Sequence, residues 1–284
     1  MIEVIRHGIY TSIQDMGRFN YESYGVPLSG ALDQQSFRMA NRILNNNPKA
    51  AAIEITIKGP KIRFHQKTFI TLTGAKIEAK INGLKINNYI PIEVLEGDIL
   101  EMGITKNGCR TYLGIAGGIK TEKVMGSRSQ FQGLTREYRI CKKMLLPIGN
   151  SNFVPLKGAR ISLPIRDFSK KKIEVYPGPE FDQLTQIQKK NLLNSSFSLS
   201  NLNNRMAFRL KEKLKNELPQ IWTAPVIPGT MQCTPEGSLI ILMRDAQVTG
   251  GYPRILQLNN KGINILSQKK TEDKLYFKLL SRIE

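Results

Sequence analysis

The chain has 284 residues, 40% hydrophobic and 23% charged, the balance of a soluble globular protein with room for one large core or two ordinary domains. Its 42 basic against 23 acidic residues give a formal charge of +19, but the lysines are dispersed and no zinc-finger, RNA-recognition or basic-zipper pattern accompanies them, so nucleic acid is not expected as a partner. No run approaches the roughly 18 apolar residues of a membrane span, and MIEVIRHGIY alternates like a strand instead of reading as a signal peptide, so a cytoplasmic protein without a membrane partner is expected.

In chain order, residues 2–13 alternate well enough for one or two short strands. The stretch TSIQDMGRFNYESYGVPLSGALD, Thr11 to Asp33, then sets Gln14, Asp15 and Arg18 beside Gly17, and Pro27, Ser29 and Asp33 around Gly25 and Gly30. Glycines allow tight turns and close approach to a ligand, and loops on a rigid scaffold often carry function. The same residues also suit a strand, a turn and a capped helix. Asp33 or Ser29 can cap a helix whose face carries Phe37, Ala40, Ile43 and Leu44, and Asn45-Asn46-Asn47-Pro48 should stop it.

From Ala51 the pattern is β for about a hundred residues. Expected strands are Ile53 to Ile57, Lys61 to Phe64, Phe69 to Thr73, Pro91 to Leu95, Ile99 to Met102 and Thr111 to Ile115, with a type I′ hairpin at Asn82-Gly83. Gly149 to Lys172, with scattered prolines and the basic run Lys170-Lys171-Lys172, reads as a boundary. Beyond it come a strand at Ile173 to Tyr176 and a helix from Phe181 through Leu184 and Ile187 to about Leu193. Strands follow at Arg205 to Leu210, Pro225 to Gln232 and Ser238 to Met243, then a loop from Asp245 to Pro253 and closing strands over 254–281. Many short strands at this spacing predict barrels or sandwiches, not a parallel βαβ sheet.

Cys109, Cys141 and Cys233 lie far apart without a CxxC pair, which argues against a disulfide framework or zinc site. The two histidines, His7 and His65, each stand alone, so neither a histidine triad nor a metal site is expected. There is no Walker A motif, no dinucleotide fingerprint and no G-x-S-x-G elbow. What remains are carboxylates (Asp15, Asp33, Glu54, Asp245), amides (Gln14, Gln232, Gln247) and the arginines Arg18 and Arg128, set among glycine loops. That set suits holding and polarising an amide or carboxylate, with a carboxylate handling a proton. Each has a plainer alternative: Asp33 as a helix cap, Glu54 facing solvent, Arg128 in a surface ion pair, Gly250 and Gly251 in a bulge.

Taken together, TSIQDMGR, GVPLSGALD, EITIKGP, LTGA, YLGIAGG and GSRS in the first half, with RMAFRL, PGTMQ and TGGYP in the second, resemble the family of the C-type subunit of bacterial 5-oxoprolinase. That family is also named for biotin-dependent carboxyltransferases and for the second subunit of allophanate hydrolase. The resemblance runs from about Ile2 to about Phe277. It implies a mainly β chain of tandem cyclophilin-like β-barrels, placed here at 1–165 and 166–284.

The resemblance also implies a partner like the B-type subunit of 5-oxoprolinase and a third hydrolase subunit, which together open 5-oxoproline to glutamate with ATP and magnesium supplied through the complex. The alternatives it carries are a carboxyltransferase component of a biotin-dependent urea or amide carboxylase, and a regulatory protein that binds a kinase-inhibitor-like partner without turnover. No A-M-K-M-like lysine is present, so biotin would ride on another chain.

The implied catalytic residues are Asp15, Arg18, Asp33, Glu54 and Arg128. Implied substrate contacts are Gln14, Ser29, Gly30, Gly74 and Ser129 in the first half, and Gln232, Asp245, Gln247, Thr249, Gly250, Gly251 and Tyr252 in the second. No metal site is expected in the chain. Departures cluster in the second half, where Ala207 and Phe208 replace a glycine and an aromatic, Lys211-Glu212-Lys213 replaces a Gly-Pro, and Val248 replaces a threonine.

Overall fold

The computed structural model describes residues 1–155 and 167–280, so the expected boundary between residues 165 and 166, and residue 281 of the expected closing strands, lie outside the described residues. The chain divides into two compact units, Met1–Arg18 with Ser29–Phe168, and Phe19–Leu28 with Ser169–Glu284. The fold is mainly β, as the strand spacing predicts. Among the described residues, no helix is long and apolar enough to cross a membrane.

The first unit holds β1 (Ile2–Arg6), β2 (Tyr10–Gln14), α1 (Gln34–Ile43), β3 (Ala52–Thr56), β4 (Lys61–Phe64), β5 (Thr68–Ile81), β6 (Leu84–Ile86), β7 (Ile92–Val94), β8 (Ile99–Ile115) and β9 (Leu145–Leu146). Their nine-stranded sheet follows the order β2-β3-β8-β4-β1-β9, with β5 pairing β6, β7 and β8. Alternating residues of these strands, among them Ile2, Val4, Ile53, Ile55, Ile62, Phe64, Leu72 and Leu113, fill one buried core.

Two long strands replace several expected short ones. The segments 69–73 and 99–102/111–115 are parts of β5, 14 residues long, and β8, 17 residues long. These strands pair along most of their length, with register shifts between Gly74 and Ala79, so glycines that look like turns in sequence mark bulges in continuous strands. The Asn82-Gly83 hairpin is present, with φ of 50° and 87°, as a type I′ turn requires.

α1 forms where cap, periodicity and breaker agree. The Asp33 side chain accepts from Ser36 N, and Phe37, Ala40, Ile43 and the terminal Leu44 are buried. Phe37 and Ala40 pack with Ala31, Ala52 and Tyr112 on the outer side of the sheet. Burying a phenylalanine contributes about 1.5–3 kcal/mol, which ties the polar segment before the helix to β3 and β8.

The second unit holds β10 (Lys172–Pro177), α2 (Gln186–Asn194), β11 (Phe197–Asn203), β12 (Ala207–Lys213), β13 (Ala224–Pro225), β14 (Thr230–Cys233), β15 (Ser238–Leu242), β16 (Thr249–Gly250), β17 (Arg254–Leu258), α3 (Asn260–Leu266) and β18 (Lys274–Leu279). Seven strands close a barrel in the order β10-β17-β14-β15-β12-β11-β18, the last pairing β10 in parallel. Ile173, Val175, Leu210, Met231, Ile241, Leu256 and Phe277 are buried within this unit.

Two expectations are corrected here. Phe181 to Gln183 is a single 3-10 turn; the helix restarts at Thr185, which forms a capping box with Gln188, and Ile187 points to solvent. Residues 254–280 are not strands throughout, since α3 interrupts them, capped by Asn259.

Candidate functional site

The first-half motifs meet around Asp15, the residue that follows β2. Its Oδ1 accepts from Gly17 N at 2.9 Å, Ser127 Oγ at 2.6 Å and Ser129 Oγ at 2.7 Å, and its Oδ2 accepts from Arg128 N at 2.7 Å. Ser129 Oγ in turn accepts from Asp15 N at 3.0 Å. The GSRS loop thereby wraps an edge strand of the sheet, and Gln130 completes the wrap: its N donates to Ile13 O and its Oε1 accepts from Ile13 N, both at 2.9 Å. Arg18 is 1% exposed and braces the same loop, donating through Nε to Val124 O at 3.2 Å and through Nη2 to Ser129 O.

Asp33 and Glu54 form a second group. Glu54 lies on β3 opposite Tyr112 of β8. Its Oε2 accepts from Tyr112 Oη at 2.7 Å and from Leu32 N at 2.8 Å, while its Oε1 lies 3.8 Å from Arg110 Nε. Tyr112 Oη accepts from Asp33 N at 2.7 Å. Burial first, then the Glu54 and Asp33 charges, push the Tyr112 hydroxyl well above its ordinary range, so it stays protonated and donates to Glu54. Asp33 uses Oδ1 and Oδ2 on Ser36 N and Ser36 Oγ at 3.1 and 2.7 Å. Glu54 is thus buried and paired, not a solvent-facing strand residue, and the Asp33 carboxylate caps α1.

The segment Ser29–Asp33 joins the groups. Ala31 N donates to Asp15 O at 2.9 Å, and a Cβ on Gly30 would fall 2.8 Å from Gly17 N, a contact only glycine permits. Gly74 sits nearby on β5, where an added Cβ would lie 2.5 Å from Arg110 O and 3.4 Å from Ser36 Oγ. Gln14 Oε1 and Ser29 Oγ are buried in this region without a hydrogen-bond partner among the described residues. Ser29 also has φ of 55°, an uncommon value for a non-glycine residue. Gln14 spends its amide nitrogen on Ser12 Oγ at 3.0 Å and Gln130 O at 3.3 Å, which leaves its oxygen as the spare acceptor.

Sequence reasoning passed over Ser127, Tyr112, Arg110 and Gln130 as site residues. Ser127 stood beside the chosen Ser129, and Tyr112 is the one polar ring in the apolar run YLGIAGG.

The second-half candidates lie in the second unit. Arg205 Nε and Nη2 grip Asp245 Oδ2 and Oδ1 at 2.8 and 2.9 Å in a largely buried bidentate pair. Gln232 is buried on β14, donates to Tyr252 O at 3.4 Å and would collide with a Cβ on Gly250 at 2.5 Å. Thr249 and Gly250 form β16 against β13, Gly251 O accepts from Ile221 N at 3.2 Å, and the Tyr252 ring is exposed. Gln247 Oε1 is buried without a partner among the described residues.

Against known proteins, residues 24–279 match the family model described as "Carboxyltransferase domain, subdomain A and B". The chain is 33% identical over 263 residues to the C-type subunit of 5-oxoprolinase from Escherichia coli (strain K12), covering 90% of this chain and 83% of that protein. It is 48% identical over 130 residues to the urea amidolyase of Lachancea kluyveri, covering 45% of this chain and 7% of that protein. The crystal structure of the K. lactis urea amidolyase superposes with a TM-score of 0.85 at 29% identity, over 99% of this chain and 19% of that one. The chain therefore spans only a small part of either urea amidolyase.

Proposed function

Because the chain belongs to the carboxyltransferase domain family, subdomain A and B, we propose that it is the C-type subunit of an ATP-dependent 5-oxoprolinase, acting with a B-type subunit and a third one to open 5-oxoproline to glutamate. The observation that supports this reading is the extent of the likeness to a C-type 5-oxoprolinase subunit, 90% of this chain and 83% of that protein, which takes in sequence from both units. A second reading, a carboxyltransferase component of a biotin-dependent urea or amide carboxylase, draws support from the higher identity, 48%, to a urea amidolyase over 130 residues.

Both readings ask the chain to bind a planar amide or urea, and the first-unit network suits that task. Gln14 Oε1 is an acceptor with capacity to spare and Ser29 Oγ a hydroxyl with capacity to spare, the complement of an amide N–H and its carbonyl. Both atoms are buried, so the turns Met16–Gly17 and Ser29–Gly30 part to admit the ligand in this reading. Asp15, Arg18 and Glu54 hold that wall in place as positioning residues, since their polar atoms are engaged by the loops they brace. The Arg128 guanidinium faces ligand anions while its backbone N–H anchors the loop.

Magnesium does not fit at Asp15, whose carboxylate already accepts four hydrogen bonds, and no group of three potential metal ligands occurs among the described residues. The deciding experiment co-expresses the chain with its neighbouring subunits and measures ATP-dependent glutamate formation from 5-oxoproline. Activity that persists without this chain overturns the first reading, and biotin-dependent carboxylation of urea in its place establishes the second.

A further inference from the structure

Arg128 meets the Asp15 network through its backbone alone, and the residue lines a cleft of about 550 Å³ bounded by residues 120–147 of the first unit. Four more cations line the same cleft, Lys120, Arg136, Lys142 and Lys143. Only two carboxylates, Glu122 and Glu137, oppose them, which leaves a lining charge of +3. Among the described residues, none of these five cations forms an ion pair.

Two polar groups in the lining have unspent hydrogen-bonding capacity. Thr121 Oγ1 is buried without a partner among the described residues. Gln130 is 7% exposed; its oxygen is held by Ile13 N at 2.9 Å, while its NH2 has no partner among the described residues.

Unpaired like charges around a concave surface raise the local potential and repel one another until an anion enters. Such a cleft, within the size range of about 300–1,000 Å³ typical of small-ligand sites, favours a multiply charged anion over a single carboxylate. Guanidinium forks match the oxygens of a phosphate, and lysines add point charge.

We propose that this cleft binds a phosphate-bearing small ligand, held by Arg128, Arg136, Lys142 and Lys143, with Thr121 and Gln130 supplying hydrogen bonds. It rests on the reading above only in taking the Arg128 side chain as ligand-facing, and it holds for either of the two reactions. The phosphate can come from a nucleotide or from a free or transferred phosphoryl group, and the test separates these sources.

Isothermal titration of the purified 284-residue chain at low ionic strength compares inorganic phosphate, tripolyphosphate, magnesium-free ATP and adenosine. The expected result is saturable binding of the phosphates and none of adenosine. ATP binding more tightly than tripolyphosphate identifies a nucleotide, and equal binding identifies the phosphates alone. The triple variant R136Q/K142Q/K143Q, all at exposed positions, should weaken binding by at least about tenfold. K170Q/K171Q/K172Q removes the same charge in the second unit and should change binding less than about twofold. The single variant R136Q, expected to weaken binding in the same direction, serves if the triple variant folds poorly. Absence of saturation, or equal weakening by the two triples, overturns the proposal. Because the measurement needs neither partners nor turnover, its failure leaves the 5-oxoproline assay independent.

Discussion

Replacing Asp15 tests how the site is held together, because its two carboxylate oxygens carry unequal loads. Oδ1 takes three donors, Gly17 N, Ser127 Oγ and Ser129 Oγ, while Oδ2 takes Arg128 N alone. Asp15→Asn can keep its oxygen at the three-donor position, which turns its NH2 against the Arg128 N–H. The loss is one charge-assisted hydrogen bond, about 1.5–3 kcal/mol, with a buried amide left unmet, so a cost of about 2–4 kcal/mol is expected. Asp15→Ala strips all four donors; the hydroxyls can rotate to other acceptors but the two backbone amides cannot, so about 3–5 kcal/mol is expected. The single tryptophan, Trp222, lies in the second unit and is 95% exposed, so its fluorescence is a poor probe of this site. Amide hydrogen exchange reads it directly. In Asp15→Asn, Arg128 should lose protection while Gly17 keeps it; in Asp15→Ala both should lose it. Equal exchange at the two amides in Asp15→Asn, or stability of both variants within about 0.5 kcal/mol of the parent chain, would refute the assignment.

Gly74→Ala adds a Cβ 2.5 Å from Arg110 O at φ of 86°, and should cost about 2–4 kcal/mol in urea unfolding. Gly83→Ala has φ of 87° but nothing within 4 Å, so about 1 kcal/mol is expected, and equal costs would show that close packing is not what selects Gly74. Burial pushes the Cys233 thiol up to about 11, Cys109 is also buried, and Cys141 is half-buried. A thiol reagent at about pH 8 should therefore label Cys141 quickly and the other two only after denaturation; a second fast equivalent would contradict this. Burial raises the Glu180 carboxyl, but hydrogen bonds from Arg254 outweigh it and hold the group below its ordinary value. A depressed carboxylate contributes stability above its unfolded value of about 4.3, and that contribution is lost as pH falls through the folded value. Acid titration of unfolding should show this loss below about pH 4.3, and Glu180→Gln should flatten it; an unchanged slope would remove the pair from the account.

How far the fold was legible depended on whether local signals agreed. At α1 the Asp33 cap, the buried face from Phe37 to Leu44 and the Asn-rich stop all point the same way, and the helix ends where they say. In β5 and β8 they conflict, since Gly74, Gly103 and Gly108 look like turns while the chain runs on through bulges against its partner strand. α3 was missed because NKGINIL is short and contains a glycine. That glycine is a packing feature: a Cβ on Gly262 would lie 3.1 Å from Ile173 Cγ2, so it lets the helix press onto β10. Phe181, Leu184 and Ile187 share helical spacing, but the Thr185 capping box resets the phase and turns Ile187 outward.

At the site, sequence gathered most of the residues but not the direction in which each spends its hydrogen bonds. A buried carboxylate is costly unless its lone pairs are filled, so a motif rich in acids and hydroxyls has to be self-satisfying before it can do anything else. Asp15 is filled by its own loop and by GSRS, Glu54 by Tyr112 and Leu32, Asp245 by Arg205. Apart from the Gly17 contact inside the Asp15 loop, none of those pairings leaves a trace in local spacing, because the partners lie 22 to 114 residues apart. What can recognise a ligand is then whatever the network leaves over. Among the described residues of the first unit the leftovers include Gln14 Oε1 and Ser29 Oγ beside Asp15 and Gly30, Thr121 Oγ1 in the cleft, and the side chain of Arg128, whose backbone is spent on the network. The acids hold the wall in place, and in the function proposed above recognition falls to the Gln14 amide and the Ser29 hydroxyl within it, with Arg128 on the cleft of residues 120–147.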